Sequence, residues 1–524
     1  MLARLLTTAF LPLLLHPVPS AHPSNPLTIQ TVQGQVEGTL TADGKVRAFK
    51  GIPYAAPPVG ELRWQEPHPP AKFKGVLAAR DFGHRCIQTN PFDDMNFRDP
   101  GESEDCLTLN IWVPASPAPG SLPVMVWIYG GGYAAGSSSE PRQDGQFLAQ
   151  RNVIVVSMNY RLGIFGFFAL PGLTEESSHH ASGNQGLLDQ SAAIAWVKQN
   201  IRAFGGDPAN ITLFGESAGS TSVSAQMASP LTRGSLAKAI GESGAAFSGR
   251  SHPFPALIER EHNDAEFAQV AFGSGDLAVL RRLTPQQLLA AVTSKTITHV
   301  PFGPNIDGYF FPRPVEAIYA AGEQAHIPLL AGWNADENRN QATEATPQPT
   351  AASFTAMANE LYENDAKTFL ALYPATSDAE ALESAGDLAG DRFIKFATWR
   401  WLEAQVATGA APVYRYLLAL GSPGDKFHAA ALGAFHSDDI EYVFGTLDSR
   451  QGAVWRPEDR ALSNQMQLYW TNFARTGNPN GDTLPPWPAY KAPEWQVMHL
   501  DATSSAAPDA QRARYLFLQL HPPK

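Results

Sequence analysis

The sequence predicts an α/β protein, a layered sheet with helices packed on it, and three observations predict it. Short apolar runs recur along the chain, at residues 108–113, 124–128, 153–158 and 211–214. An amphipathic stretch follows at residues 191–200, with Ala193, Ile194, Trp196 and Val197 at helical spacing. The run at 211–214 leads into Gly215-Glu216-Ser217-Ala218-Gly219, behind which Thr221, Val223 and Met227 recur at helical intervals. Strand, tight turn and helix is the context that a Gly-x-Ser-x-Gly sequence needs. Strands alternating with helices argue for layered α/β architecture.

The first residues have the build of an export leader: Arg4, an apolar stretch from Leu5 to Leu15, and small residues at Ser20 and Ala21. The stretch is too short to span a bilayer, which takes roughly 20 residues. Residues 1–21 are therefore expected to be cleaved near Ser20 or Ala21, with residues 22–524 forming one domain in a secreted or periplasmic protein. Residues 27–49 alternate like strands, with turns at Gly34 and Asp43-Gly44, and predict small hairpins. Residues 51–70 are proline-rich and extended. Helical patterning at 254–292 and 354–407 predicts insertions over the sheet, and residues 345–352 read as a loop. Residues 413–418 and 489–500 predict late strands, and no repeat or long linker divides the chain.

Composition narrows the function classes. A formal net charge of -12 disfavours nucleic acid or an anionic membrane as partner. No later segment is apolar enough to cross a membrane. There is no H-E-x-x-H, P-loop or dinucleotide glycine motif, so no metal or organic cofactor is expected. The two cysteines, Cys86 and Cys106, are expected to pair in an oxidising compartment.

The chemistry centres on Ser217. A serine hydroxyl needs a base to take its proton, and the base needs an acid to hold its tautomer. Glycines flank the turn because side chains there would strike neighbouring backbone. A near miss, Gly241-Glu242-Ser243-Gly244-Ala245, lacks the final glycine. In this motif class the acid and then the histidine follow the serine in the chain. Spacing leaves His428 and His436 tied. Backbone donors for a developing oxyanion are expected from Ala218 and from Gly130-Gly131-Gly132, which follows the apolar run 125–128.

Several segments together resemble the type-B carboxylesterase/lipase family, which includes the cholinesterases. They are Phe49-Lys50-Gly51-Ile52-Pro53-Tyr54-Ala55, Ser103-Glu104-Asp105-Cys106-Leu107, Trp127-Ile128-Tyr129-Gly130-Gly131-Gly132-Tyr133 and Gly183-Asn184-Gln185-Gly186-Leu187-Leu188-Asp189-Gln190. The series continues through the serine motif to Gly332-Trp333-Asn334-Ala335-Asp336-Glu337, Phe435-His436-Ser437-Asp438-Asp439-Ile440-Glu441 and Asn472-Phe473-Ala474-Arg475-Thr476-Gly477. The resemblance covers nearly the whole chain in order. It implies the α/β-hydrolase fold: a large, mostly parallel central sheet flanked by helices, with N-terminal hairpins and helical insertions over the active site.

For the site, the resemblance implies Ser217 as nucleophile, Glu337 as acid and His436 as base. It implies Gly131, Gly132 and Ala218 as oxyanion donors, and the Cys86–Cys106 disulfide. Asp336 is the rival acid. Arg63 with Glu104, and Arg161 with Asp189, match the family's structural ion pairs. Glu216 matches a buried carboxylate behind the site, with Ser243 as its expected hydrogen-bond partner. Tyr133, Trp333 and Phe435 adjoin these segments and are expected as pocket walls. Tyr129 stands where many members have histidine; cholinesterases, like this chain, have tyrosine there. Where cholinesterases carry a choline-binding tryptophan this chain has Asn96, and no tryptophan lies between the cysteines. That removes the cation–π partner of a quaternary ammonium.

The resulting expectation is a secreted serine carboxylesterase acting through an acyl-enzyme on a small ester and water, and not on choline esters. An ordinary histidine base would lose activity below about pH 6. The alternatives are a non-catalytic binding or adhesion member of the same scaffold, or a lipase or amidase. Asn210-Ile211-Thr212 is a glycosylation sequon by pattern.

Overall fold

The apolar runs become adjacent rungs of one sheet. A computed structural model describes residues 27–522 except 90, 119, 248–253, 298–299, 429 and 431–432; the leader, residues 1–21, lies outside these. Eleven strands form the main sheet: β1 (Thr39–Leu40), β2 (Val46–Pro53), β3 (Thr108–Pro114), β4 (Leu122–Ile128), β5 (Ile154–Met158), β6 (Gly206–Glu216), β7 (Lys238–Glu242), β8 (Leu329–Asn334), β9 (Val413–Leu418), β10 (Gln496–Leu500) and β11 (Ser505–Pro508). Their spatial order is β11-β10-β9-β8-β7-β6-β4-β5-β3-β2-β1. All pairings from β10 across to β5 are parallel. Both edges are antiparallel. Every residue of β3, β4 and β5 is buried, which is why these strands read as continuous rather than alternating apolar runs.

Helices α1 (Gln185–Asn200), α2 (Ala218–Ala228), α3 (Leu257–Phe272), α4 (Ala351–Tyr362), α5 (Asp378–Gly390), α6 (Phe396–Thr408), α7 (Asp439–Phe444) and α8 (Pro457–Thr476) follow from the same patterning. Helices α1, α2 and α8 pack on the central strand β6, and α6 packs on β8 and β9. This is the α/β-hydrolase architecture. Residues 28–37 form a hairpin in a small separate sheet, and β1 and β2 form a second hairpin. Among the described residues, no helix is long and apolar enough to cross a membrane.

Three elements depart from the expectation. Helix α1 begins at Gln185, earlier than its apolar periodicity. Its first turns carry buried polar residues with partners elsewhere: Gln185 donates to the Trp64 carbonyl at 2.8 Å, and Asp189 accepts from Arg161. Helix α4 starts inside the expected loop, at Ala351, because Thr350 caps it by accepting the Ser353 N–H. The strand expected over 489–500 is confined to Gln496–Leu500. Pro493 precedes it and has no N–H to give a ladder.

Two ion pairs, one partly and one fully buried, join segments far apart in the chain. Arg63 grips Glu104 with two bonds of 2.6 and 2.7 Å. Arg161 grips Asp189 with two of 2.8 and 2.7 Å. Cys86 and Cys106 form a disulfide.

Candidate active site

Strand β6 ends at Glu216 and helix α2 starts at Ala218, so Ser217 alone makes the turn. Its φ is 57°, a costly region for a residue with a side chain. The flanking glycines explain how so sharp a turn fits. A Cβ on Gly215 would lie 2.6 Å from the Ile128 carbonyl oxygen, and one on Gly219 would lie 2.0 Å from it. The Ser217 amide is anchored by the Glu242 carbonyl of β7 at 2.8 Å.

His436 reaches this hydroxyl from the long connection after β9. Its Nε2 is 3.0 Å from Ser217 Oγ, and its Nδ1 is 2.6 Å from Glu337 Oε2. Glu337 is fully buried just past β8. Its other oxygen accepts the Ser243 hydroxyl at 2.5 Å and the Asn334 amide at 3.0 Å. The glycine loop leaves β4 beside the serine. A Cβ on Gly130 would meet the Glu216 carbonyl at 2.7 Å and Ser217 Cβ at 2.9 Å, so only glycine permits this approach. Gly131 and Gly132 have φ of 98° and 64°. Ala218 opens α2, whose first amides have no intrahelical acceptor.

The carboxylesterase family pattern matches residues 25–517. The chain belongs to the carboxylesterase family. Among similar proteins is the fumonisin B1 esterase of Sphingopyxis macrogoltabida, 38% identical over 482 residues, covering 89% of this chain and 85% of that one. The para-nitrobenzyl esterase of Bacillus subtilis is 36% identical over 506 residues, covering 93% and 98%. An acetylcholinesterase of Bungarus fasciatus is 34% identical over 532 residues, covering 93% and 85%. A solved structure of a PNB esterase superposes with a TM-score of 0.79 at 34% identity, over 93% of this chain and 99% of that one. The protein is thus a carboxylic ester hydrolase of the serine-hydrolase type.

Within this carboxylesterase, the rival residues lie elsewhere. Asp336 is turned to the Arg339 guanidinium at 2.7 Å and the Gly433 amide at 3.0 Å. His428 stacks on Phe435 and bonds Asp425. Ser243 bonds Glu337 rather than Glu216, because it follows β7, whose end lies beside that of β8 and its acid. Glu216 is nonetheless close. Its Oε1 is 3.3 Å from His436 Nε2 and has no hydrogen-bond partner among the described residues.

The charges reinforce one another. Burial pushes the Glu216 carboxyl up to about 8, opposed by His436 and helped by Asp439. Burial also opposes charge on Glu337, but His436 and the hydrogen bonds from His436, Ser243 and Asn334 hold its carboxyl below the ordinary value. For His436, burial favours the neutral ring, but Glu337 and then Glu216 outweigh it and raise the imidazole to about 9.

The expected walls divide. Trp333 is fully buried against Arg415 and Tyr515. It is turned from the site because alternate residues of a strand face opposite sides, and the Asn334 side chain takes the side facing the Phe435 carbonyl and Asp439. Phe435 stacks away on His428 and Arg450. Tyr133 packs on Phe167, and its hydroxyl accepts from Ser222. Two neighbours of the site were not foreseen. Phe393 lies edge-on to His436 with ring centres 5.0 Å apart. The Met95 methyl would be 3.1 Å from a Cβ on Gly131. Neither belongs to a motif: Met95 comes from the loop between the two cysteines, and Phe393 from the helical segment between α5 and α6.

Proposed function

We propose that this carboxylesterase hydrolyses small carboxylic esters through an acyl-enzyme on Ser217, with His436 as base and Glu337 as its orienting acid. His436 takes the Ser217 proton as Oγ attacks the carbonyl. The oxyanion is held by the amides of Gly131, Gly132 and Ala218. The tetrahedral intermediate collapses, the alcohol leaves with the proton from His436, and water attacks the acyl-enzyme by the same route. The observation that carries this reading is the unbroken chain from Ser217 Oγ through both nitrogens of His436 to Glu337. Removing one oxyanion donor from such a site costs about 3 kcal/mol.

Choline esters are poor candidates. Asn96 is exposed and donates to the Asp94 carbonyl, so no aromatic face is supplied there. The chain is proposed to be exported through its leader and to act as one domain in an oxidising compartment, which the disulfide supports.

The test is initial hydrolysis of p-nitrophenyl acetate, butyrate and octanoate by wild type and Ser217→Ala. Turnover abolished in the variant is the expected result. Equal activity in both would remove Ser217 from the nucleophile's role, and equal inertness would favour a binding protein on this scaffold.

A further inference from the structure

A hollow of about 390 Å³ opens between α4, α5 and the segment before α4. Pro347, Phe354, Met357 and Leu388 supply its apolar wall. Arg392 is the one charged residue lining it. That guanidinium is under-used: one Nη donates to the Tyr362 hydroxyl at 3.0 Å, and Nε is buried with no hydrogen-bond partner among the described residues. The nearby acids are taken. Asp387 accepts from Arg339 and Arg514, Glu383 from Arg339, and Asp391 from the hydroxyls of Tyr373 and Tyr515. A cation at the edge of an apolar hollow is complementary to a ligand with an anionic head and an apolar body.

The hollow also adjoins the catalytic machinery. Arg392 lies in a single π-helical turn, Asp391–Lys395, between α5 and α6. Single π-turns inside helices are frequent at functional sites. The next residue, Phe393, is the one edge-on to His436. At the ends of the same turn, Lys395 donates to the Ala335 carbonyl at 2.7 Å, and a Cβ on Gly390 would lie 2.4 Å from the Glu337 carbonyl oxygen.

We propose that this hollow is a second binding site, for a carboxylate with an apolar chain, held by Arg392 and felt at His436 through Phe393. Naming the ligand as an acid of the class the reaction releases rests on the esterase reading; the fit to a carboxylate does not. The site then lets accumulated product acid modulate turnover from outside the ester pocket.

The probe is octanoate, titrated calorimetrically into the Ser217→Ala protein, which cannot turn over ester. Binding is expected to weaken about tenfold in Arg392→Gln, the loss of one charge-assisted contact. It is expected to vanish in Ala389→Trp, which fills the hollow and leaves the arginine in place. Acetate and octanol, each lacking one half of the ligand, are expected to bind at least tenfold more weakly than octanoate. In active enzyme, octanoate should lower kcat for p-nitrophenyl acetate, and Arg392→Gln should abolish that component. Octanoate affinity unchanged in both variants, or octanol binding as tightly as octanoate, overturns the proposal. So does purely competitive inhibition that is equal in wild type and Arg392→Gln. Failure of Ser217 as nucleophile would leave the calorimetric result standing, so the two readings fail separately.

Discussion

Ser243 donates its hydroxyl to Glu337 at 2.5 Å, on the carboxylate oxygen that His436 leaves free. Glu337 is therefore pinned at both ends, by His436 on one oxygen and by Ser243, just past β7, on the other. A net hydrogen bond to a charged group contributes about 1.5–3 kcal/mol. Ser243→Ala is expected to lower kcat for p-nitrophenyl butyrate by about tenfold or more, with KM little changed. Equal fractional losses at all pH values would mean that Ser243 only packs. A positioning role also moves the acid limb of the profile, because a less anchored Glu337 supports the imidazolium less.

The pH dependence carries its own sign. His436 accepts a proton only when neutral, so kcat/KM falls as pH drops through its pKa. The two buried carboxylates raise that pKa to about 9, above the ordinary imidazole value. The acid limb is expected on the alkaline side of the pH 6 that an unperturbed histidine would give. Glu216→Gln removes a carboxylate 3.3 Å from Nε2 and should move the limb downward by on the order of one pH unit. A limb that stays in place, or moves upward, would separate Glu216 from the titration of the base.

Gly130 marks where the proposed oxyanion loop presses on the serine turn. Ala at this position would push a methyl into Glu216 and Ser217 Cβ. Displaced donors typically cost a hundredfold or more in kcat, about 3 kcal/mol. Gly130→Ala is expected to show that loss, read as p-nitrophenyl acetate turnover alongside circular dichroism. Full activity in a folded variant would mean the loop yields without disturbing the hole.

Asp189 concerns stability. It neutralises Arg161, and both are buried. Asp189→Ala strands the guanidinium and is expected to cost about 3–5 kcal/mol, measured as a shift of the urea midpoint. A shift below about 1 kcal/mol would place Arg161 in contact with water or a new partner.

What could be read from the sequence depended on the range of the interaction. The serine turn and the glycine loop were legible because each is local: a few consecutive residues must satisfy one tight geometry. The choice between His428 and His436 was not, since both sit in one loop and only the folded path brings His436 to Ser217. Nothing but resemblance separated them. Trp333 misled because adjacency in sequence says nothing about which strand face a side chain takes, and it lies one residue out of phase with Asn334. Ser243 was named, but with the wrong partner, as the order of strands β6, β7 and β8 was not readable. Phe393 gave no signal at all. It reaches His436 from an insertion whose helical pattern records only its own packing.

Gly215 pairs with Ile128 in the ladder between β6 and β4. The serine turn and the glycine loop are thus the next steps of two neighbouring strands. Neither can move without the middle of the sheet moving, and there β4 and residues 211–216 of β6 are buried throughout. Rate measurements therefore double as a thermometer of the sheet's interior: during gradual unfolding, turnover should survive loosening of the hairpins and outer helices and vanish together with protection of the β4 and β6 amides against hydrogen exchange.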